Sequence, residues 1–283
     1  MRHFISAIQF ITIIPVGKSD TFEPPKMIPY FPVVGLFLGL LTALFDQFAT
    51  ALWSRPVASL LDILFLAVLT GAFHLDGLGD SADGLLGQRS KEKALTIMKD
   101  SRLGTMGLVA IVFGLALKWA GIAGLDANRA LLLVVVPAYA RAGMLFGMRF
   151  LEYGRPDGGT GVDFFKSRLE WTAFWGLTAP VVLSMFLGWT ALWLNLSFVA
   201  LTAILIWYYK RRVGCITGDM LGAMAEILES GLFLLISMGG VDDDGMGYTS
   251  VYSSGGLCPG YHAGRPSRPA SPGALDGKGD RKA

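Results

Sequence analysis

Apolar residues fall in long runs separated by short polar stretches, at about 31 to 52, 57 to 73, 104 to 123, 130 to 150, 171 to 189, 191 to 209 and 221 to 239. Each run approaches the ~20 residues a helix needs to cross the hydrocarbon core. The pattern predicts an all-α, polytopic integral membrane bundle with about seven transmembrane helices, the second being the shortest. The first residues, MRHFISAIQFITIIPV, join a basic start to an apolar stretch with no small-residue cleavage site after it. That reads as an interfacial helix ending near Pro15, not a signal peptide. SKEKALTIMKDSR, from Ser90 to Arg102, mixes apolar and charged positions and predicts a short amphipathic helix on the membrane surface. Neither an internal repeat nor an inverted pair of interrupted helices is evident.

The polar stretches are not alike. With the N-terminus on the cytosolic side, the loops of that side carry Arg2, Lys18, Lys26, Arg89, Lys91, Lys93, Lys99, Arg102, Arg155, Lys166, Arg168, Lys210, Arg211 and Arg212, while the opposite short loops carry Arg55 and Arg129. This asymmetry sets the orientation by the positive-inside rule and opens every motif-like segment on one face. Composition agrees: 53% hydrophobic and 16% charged residues, with a mean hydropathy of +0.51, exclude an ordinary soluble domain. The net charge of +2 identifies no partner, and no nucleic acid is expected. Cys215 and Cys258 have neither metal-ligand nor disulfide spacing. From about Val241 the chain turns rich in Gly, Ser, Pro and Asp, which divides it into a membrane-embedded domain, 1–240, and a tail, 241–283, expected to be disordered and dispensable.

HLDGLGDSADGL, from His74, spaces Asp76, Asp80 and Asp83 at i, i+4 and i+7, so a helix puts the three carboxylates on one face. Carboxylates crowded in this way repel one another unless a cation offsets the cost, and Mg2+ suits them because it takes hard oxygens from one or two carboxylates together with substrate phosphates. Glycines at 77, 79, 84 and 87 let a phosphate approach the backbone. The plain alternative is a solvated, helix-capping acidic turn. A second acidic set, Asp219, Glu226 and Glu229, follows in RRVGCITGDMLGAMAEILESG, and its two glutamates enter the last span. Ionisable groups inside a membrane are functional or paired by default, and the paired alternative joins them to Arg141 or Lys118. EYGRPDGGTG, from Glu152, offers Arg155 and free backbone N–H groups to an anion, or is an ordinary turn. Lys99, Asp100 and Arg102 bring cations beside the first motif, a combination suited to a diphosphate. His74 is a candidate base, although a lone histidine at a helix end is more often structural. Asp46 and Asp62 receive no role.

Five stretches together carry a resemblance: YFPVVGLFLG from Tyr30, FHLDGLGDSADGL from Phe73, IMKDSRLGTMG from Ile97, YGRPDGGTG from Tyr153 and TGDMLGAMAEILE from Thr217. Over residues 1 to 238 the chain resembles the cobalamin synthase, or adenosylcobinamide-GDP ribazoletransferase, family. It departs from that family where Gly214–Cys215 stands in place of a usual Gly-Gly, and in the tail. The resemblance implies a multi-pass enzyme of a bacterial or archaeal cell (inner) membrane, with its active site facing the cytoplasm. In that family the ribose hydroxyl of α-ribazole, or of its 5′-phosphate, displaces GMP from adenosylcobinamide-GDP, with Mg2+ as cofactor.

On that basis Asp76, Asp80, Asp83 and Glu226 are expected to hold Mg2+, and Asp219 to complete the site or act as base. Lys99 and Arg102 are expected to stabilise the departing phosphate, and Arg155, Asp100 and Thr217 to bind substrate. Membrane lipid is a further expected partner, and a homo-oligomer is compatible with the sequence. Two other readings make different demands on the sequence. A relative of the CDP-alcohol phosphotransferases would need further aspartates downstream of Asp83, which this chain lacks. An ion-coupled transporter would need polar groups on both faces.

Overall fold

The computed structural model describes residues 2–17, 22–100, 102–155 and 161–238, so the expected tail lies outside the described residues. Helix α1 (Arg2–Ile11) and the single turn α2 (Pro24–Met27) lead into α3 (Phe31–Leu52), which Pro32 starts by fixing its φ in the first turn. Then come α4 (Arg55–Leu69), α5 (Phe73–Leu85), the short α6 (Lys91–Ile97), α7 (Thr105–Ala123) and α8 (Arg129–Phe150). The chain closes with α9 (Thr178–Ser184), α10 (Trp189–Arg212) and α11 (Gly218–Ser237). The molecule is an all-α membrane bundle, in agreement with the pattern of apolar runs.

Two of the seven expected spans take another form. The described residues hold five helices long and apolar enough to cross a membrane, and a sixth crossing if α4 and α5 count as one broken span, bent by 91°. The break falls where Gly71 (φ 61°) and Ala72 (φ 56°) are both left-handed. A helix cannot run through two such residues, and for alanine the conformation is costly. The run at 171 to 189 forms 3-10 turns (Trp171–Leu177 and Met185–Leu187) on either side of α9, a shorter apolar segment than the other crossings. Gly188 (φ 60°) then turns the chain into α10. Helices form in both expected stretches but are shorter than expected, α1 ending at Ile11 and not near Pro15, and α6 covering Lys91–Ile97 of the stretch from Ser90 to Arg102.

The starts of α3, α7 and α11 gather with the ends of α5, α8 and α10 at one end of the bundle, where the lysines and arginines concentrate. All seven tryptophans are exposed. Trp171, Trp175 and Trp207 lie toward the basic end, and Trp53, Trp119, Trp189 and Trp193 toward the other, as two aromatic belts. Helices α8 and α11 form the buried centre, whereas α7 and α10 face outward along most of their length. Gly35 and Gly39 let α3 lie directly on α8, since a Cβ at either would collide with the backbone at Pro137 and Ala138 or at Leu133 and Val134.

Charge inside the bundle is paired. Lys118 Nζ of α7 lies 2.6 Å from Glu226 Oε2 and 2.8 Å from Glu229 Oε1, and Arg141 of α8 holds the other Glu229 oxygen. The previously unassigned Asp46 and Asp62 meet Arg129 Nη2 at 2.7 and 2.8 Å, tying α3, α4 and α8 together at the far end. Lys118→Met is expected to lower stability by about 3–5 kcal/mol, because it leaves buried carboxylates uncompensated. Thermal unfolding in detergent reads the loss. Adding Glu226→Gln should recover part of it by neutralising the orphaned charge. If the double variant unfolds as early as the single, this pair is not what joins α7 to α11.

Candidate active site

The broken span aims α5 toward the basic end, with Asp76 exposed and Asp80 half-buried one turn later. Helix α11 meets it there. A Cβ on Gly77 would lie 2.6 Å from the carbonyl oxygen of Asp219, so glycine at 77 is what allows the first turn of α11 to close on α5. Thr217 caps that turn by accepting from the Met220 N–H at 3.2 Å. Its side chain is fully buried, and its role in the fold is to cap this helix.

Arg155 is brought to the same place by a short parallel bridge. Gly154 N–H donates to the Ile216 carbonyl at 2.8 Å, and Ile216 N–H donates to the Glu152 carbonyl at 2.9 Å. The Arg155 guanidinium then lies 2.7 Å from Asp219 Oδ2, as an ion pair whose N–H is not aimed at the oxygen. Tyr153 stacks on Phe165 beside it, and burial pushes its phenol up, so it remains a neutral hydrogen-bonding group. The departure at Cys215 is harmless for a stated reason. Gly214 takes the positive φ of the turn (71°), and Cys215 is not among the positive-φ residues. Burial pushes the Cys215 thiol up, so it offers no nucleophile. Residues 156–160 of the glycine-rich loop lie outside the described residues.

The electrostatic neighbours of Asp80 are Asp76, Asp219, Arg155 and Asp83. Asp83 is nevertheless used differently from its two partners. Its Oδ2 accepts from Gly104 N–H at 2.7 Å and its Oδ1 from Gly107 N–H at 2.8 Å, so it caps the N-terminus of α7 from a different helix. A Cβ at either glycine would strike the carboxylate. The capping alternative therefore describes Asp83. Asp76, Asp80 and Asp219, against the single guanidinium of Arg155, remain as the acidic set.

Three further site residues are placed elsewhere. Glu226 is held by Lys118, as the paired alternative had it, and is withdrawn from the aspartates. Glu229 is likewise closed off, held by Lys118 and Arg141. His74 is fully enclosed, its α5 backbone against Gly222 of α11. Both of its ring nitrogens lack a partner among the described residues, and with no exposed surface the ring is not placed to touch a substrate. In the loop before α7, Arg102 grips Asp100 through Nε at 2.9 Å and Nη2 at 2.6 Å. Those bonds hold the Asp100 carboxyl down at about 2. Asp100 therefore orients Arg102, while Lys99 stays exposed.

Sequence reading missed Arg212. Its Nε donates to the Leu85 carbonyl at 2.9 Å and its Nη1 to the Arg89 carbonyl at 2.9 Å, with Nη2 on the Gly87 carbonyl. It caps the C-terminal end of the acid-bearing helix. The basic run Lys210–Arg212 was visible in the sequence, but its partners, more than a hundred residues away, were not.

A family model described as cobalamin-5-phosphate synthase matches residues 3–237. The chain is similar to the adenosylcobinamide-GDP ribazoletransferase of Alkaliphilus metalliredigens, with 36% identity over 242 residues, 83% of this chain and 94% of that one. The protein of the same description from Clostridium novyi is 35% identical over 242 residues, 81% of this chain and 94% of its own length. That from Roseiflexus sp. is 36% identical over 228 residues, 79% and 84% of the two chains. No solved structure matches. With the match running from the interfacial helix through the last span and taking in both acidic motifs, the chain belongs to the cobalamin-5-phosphate synthase family.

Proposed function

We propose that this chain is a Mg2+-dependent transferase that joins adenosylcobinamide-GDP to α-ribazole, or to α-ribazole 5′-phosphate, with release of GMP. One observation carries the mechanism. Asp76, Asp80 and Asp219 lie within electrostatic reach of one another at the basic end of the bundle, with Arg155 as the one close cation among the described residues. Such a set demands a further positive charge. Among the described residues no three His, Cys, Asp or Glu side chains stand close enough to cage a metal alone. Mg2+ at this place would therefore rest on one or two carboxylates, with substrate phosphates and water completing its shell. Asp76 and Asp80 would hold the ion, and when bound it neutralises charge on the diphosphate.

The remaining work belongs to the chain's own residues. Transfer at a diphosphate rests on alignment and charge neutralisation. Arg155 shifts from Asp219 to a phosphate oxygen, which its planar fork suits. Asp219, so released, accepts the proton of the ribose hydroxyl. The hydroxyl oxygen bonds to the phosphorus on the cobinamide side, the bond from that phosphorus to the bridging oxygen breaks, and GMP leaves with the electron pair. Lys99, with Arg102 oriented by Asp100, meets the charge that grows on the departing phosphate. The basic loops at this end support a site facing the cytoplasm, in the cell membrane or the inner of two membranes.

Asp80→Asn should lower GMP release from adenosylcobinamide-GDP and α-ribazole by about 10²–10³-fold, the order found for removing one preorganised group that stabilises transition-state charge. Its thermal midpoint should match the unaltered protein. Turnover within a few-fold of normal would take Asp80 out of the site. Chelation of Mg2+ should stop release, and added Mg2+ should restore it.

Asp83→Ala is expected to behave otherwise, lowering the thermal midpoint together with turnover. Loss of a capping side chain costs about 1–2 kcal/mol. An unchanged midpoint with turnover abolished would return Asp83 to the metal.

A further inference from the structure

Two apolar grooves flank α10, and they differ in charge. One, of about 350 Å3, lies between α5, α7, α10 and α11, with Glu226 in its lining and no lysine or arginine. The other, of about 410 Å3, lies between α8 and α10, walled by Phe146, Phe150, Phe198, Ile206 and Trp207, with Lys210 among the residues that line it.

Lys210 lines the second groove, and Arg149 and Arg211 stand against two of its aromatic residues, Phe150 and Trp207. On the α8 side, Arg149 stands with its guanidinium carbon 5.1 Å from the Trp171 ring centre and 5.9 Å from that of Phe150. Arg149 Nε and Nη1 are buried and have no hydrogen-bond partner among the described residues. Across the groove, Arg211 lies over the Trp207 ring at 5.4 Å. Among the described residues no acidic side chain pairs with Arg149, Lys210 or Arg211. Those two nitrogens are enclosed by protein, so an anionic headgroup would meet Arg149 through the part of its guanidinium that stays exposed, and Lys210 directly. The tryptophans place this rim at the depth of lipid headgroups.

We propose that the groove between α8 and α10 is a site for one phospholipid with a net negative headgroup. An acyl chain lies along the phenylalanines and Ile206, and the phosphate oxygens meet Arg149 and Lys210. The neighbouring groove has no lysine or arginine in its lining to receive an anionic headgroup. The site stands apart from the transfer chemistry, since none of its residues belongs to the acidic set.

The test uses the full chain in nanodiscs of phosphatidylcholine, with and without phosphatidylglycerol at a few times its Kd. Phosphatidylglycerol should raise the thermal midpoint by about 2–4 °C, the shift of a single site so occupied in a domain of this size. Native mass spectrometry should find one such lipid retained. The shift should vanish in Arg149→Gln with Lys210→Gln, and in Ala203→Phe, which fills the groove without touching charge. Lys91→Gln with Lys93→Gln removes as much charge elsewhere and should keep it. No shift in the unaltered protein, a shift surviving in Ala203→Phe, or equal loss in the Lys91 and Lys93 pair would overturn the proposal.

Discussion

A carboxylate in hydrocarbon needs a cation beside it, and the arrangement of this bundle follows from where that need is met. Lys118 and Arg141 meet it for Glu226 and Glu229, which makes a charge-neutral set shared by α7, α8 and α11. No helix of the three can slide without breaking a pair in a medium that offers no water in exchange. Arg129 does the same for Asp46 and Asp62 among α3, α4 and α8. The centre of the molecule is thus pinned at two depths, and α5 is laid on α11, one of the pinned elements.

Set against that rule, the acidic residues of the basic end stand out by what they lack. Among the described residues Asp76, Asp80 and Asp219 share Arg155 alone, at the basic end of the bundle. Acidity by itself does not mark the site, because the interior has as many carboxylates. What marks it is a surplus of negative charge on a helix held rigidly at one end by Arg212 and at the other by the break at Gly71 and Ala72. A site left electrostatically incomplete, on a frame that cannot collapse to relieve it, is suited to taking up a cation with its phosphate.

How much of this the sequence discloses depends on the distance over which each feature is decided. Spans such as α3, α7 and α8 are settled by twenty consecutive residues, and apolar runs locate them to within a residue or two. The break in the second run turns on the backbone of Ala72, a residue with no preference for positive φ, so composition hides it. The spacing of Asp76, Asp80 and Asp83 correctly gives one helix face, yet says nothing of what each oxygen meets. Asp83 is diverted by Gly104 and Gly107, and Glu226 by Lys118, across 21, 24 and 108 positions. For the glutamates the cost of burying charge at least made pairing a live alternative. For Asp83 capping was also an alternative, but a capped helix end and a metal site both call for a carboxylate, so the spacing did not choose between them.

The diversion of Asp83 has a mechanical result. The N-terminus of α7 carries partial positive charge and unsatisfied N–H groups, and the carboxylate that satisfies them belongs to the acid-bearing helix. Lys99 and Arg102 lie in the loop that ends at Gly104, the residue Asp83 holds. A displacement of α5 therefore carries the cations with it. The carboxylates that would gather the diphosphate and the cations that would receive the leaving phosphate are set in register by one side chain. That is a stronger reason for an aspartate at position 83 than a third ligand to a metal, because two carboxylates and a diphosphate already supply oxygen donors to an ion that usually keeps several waters.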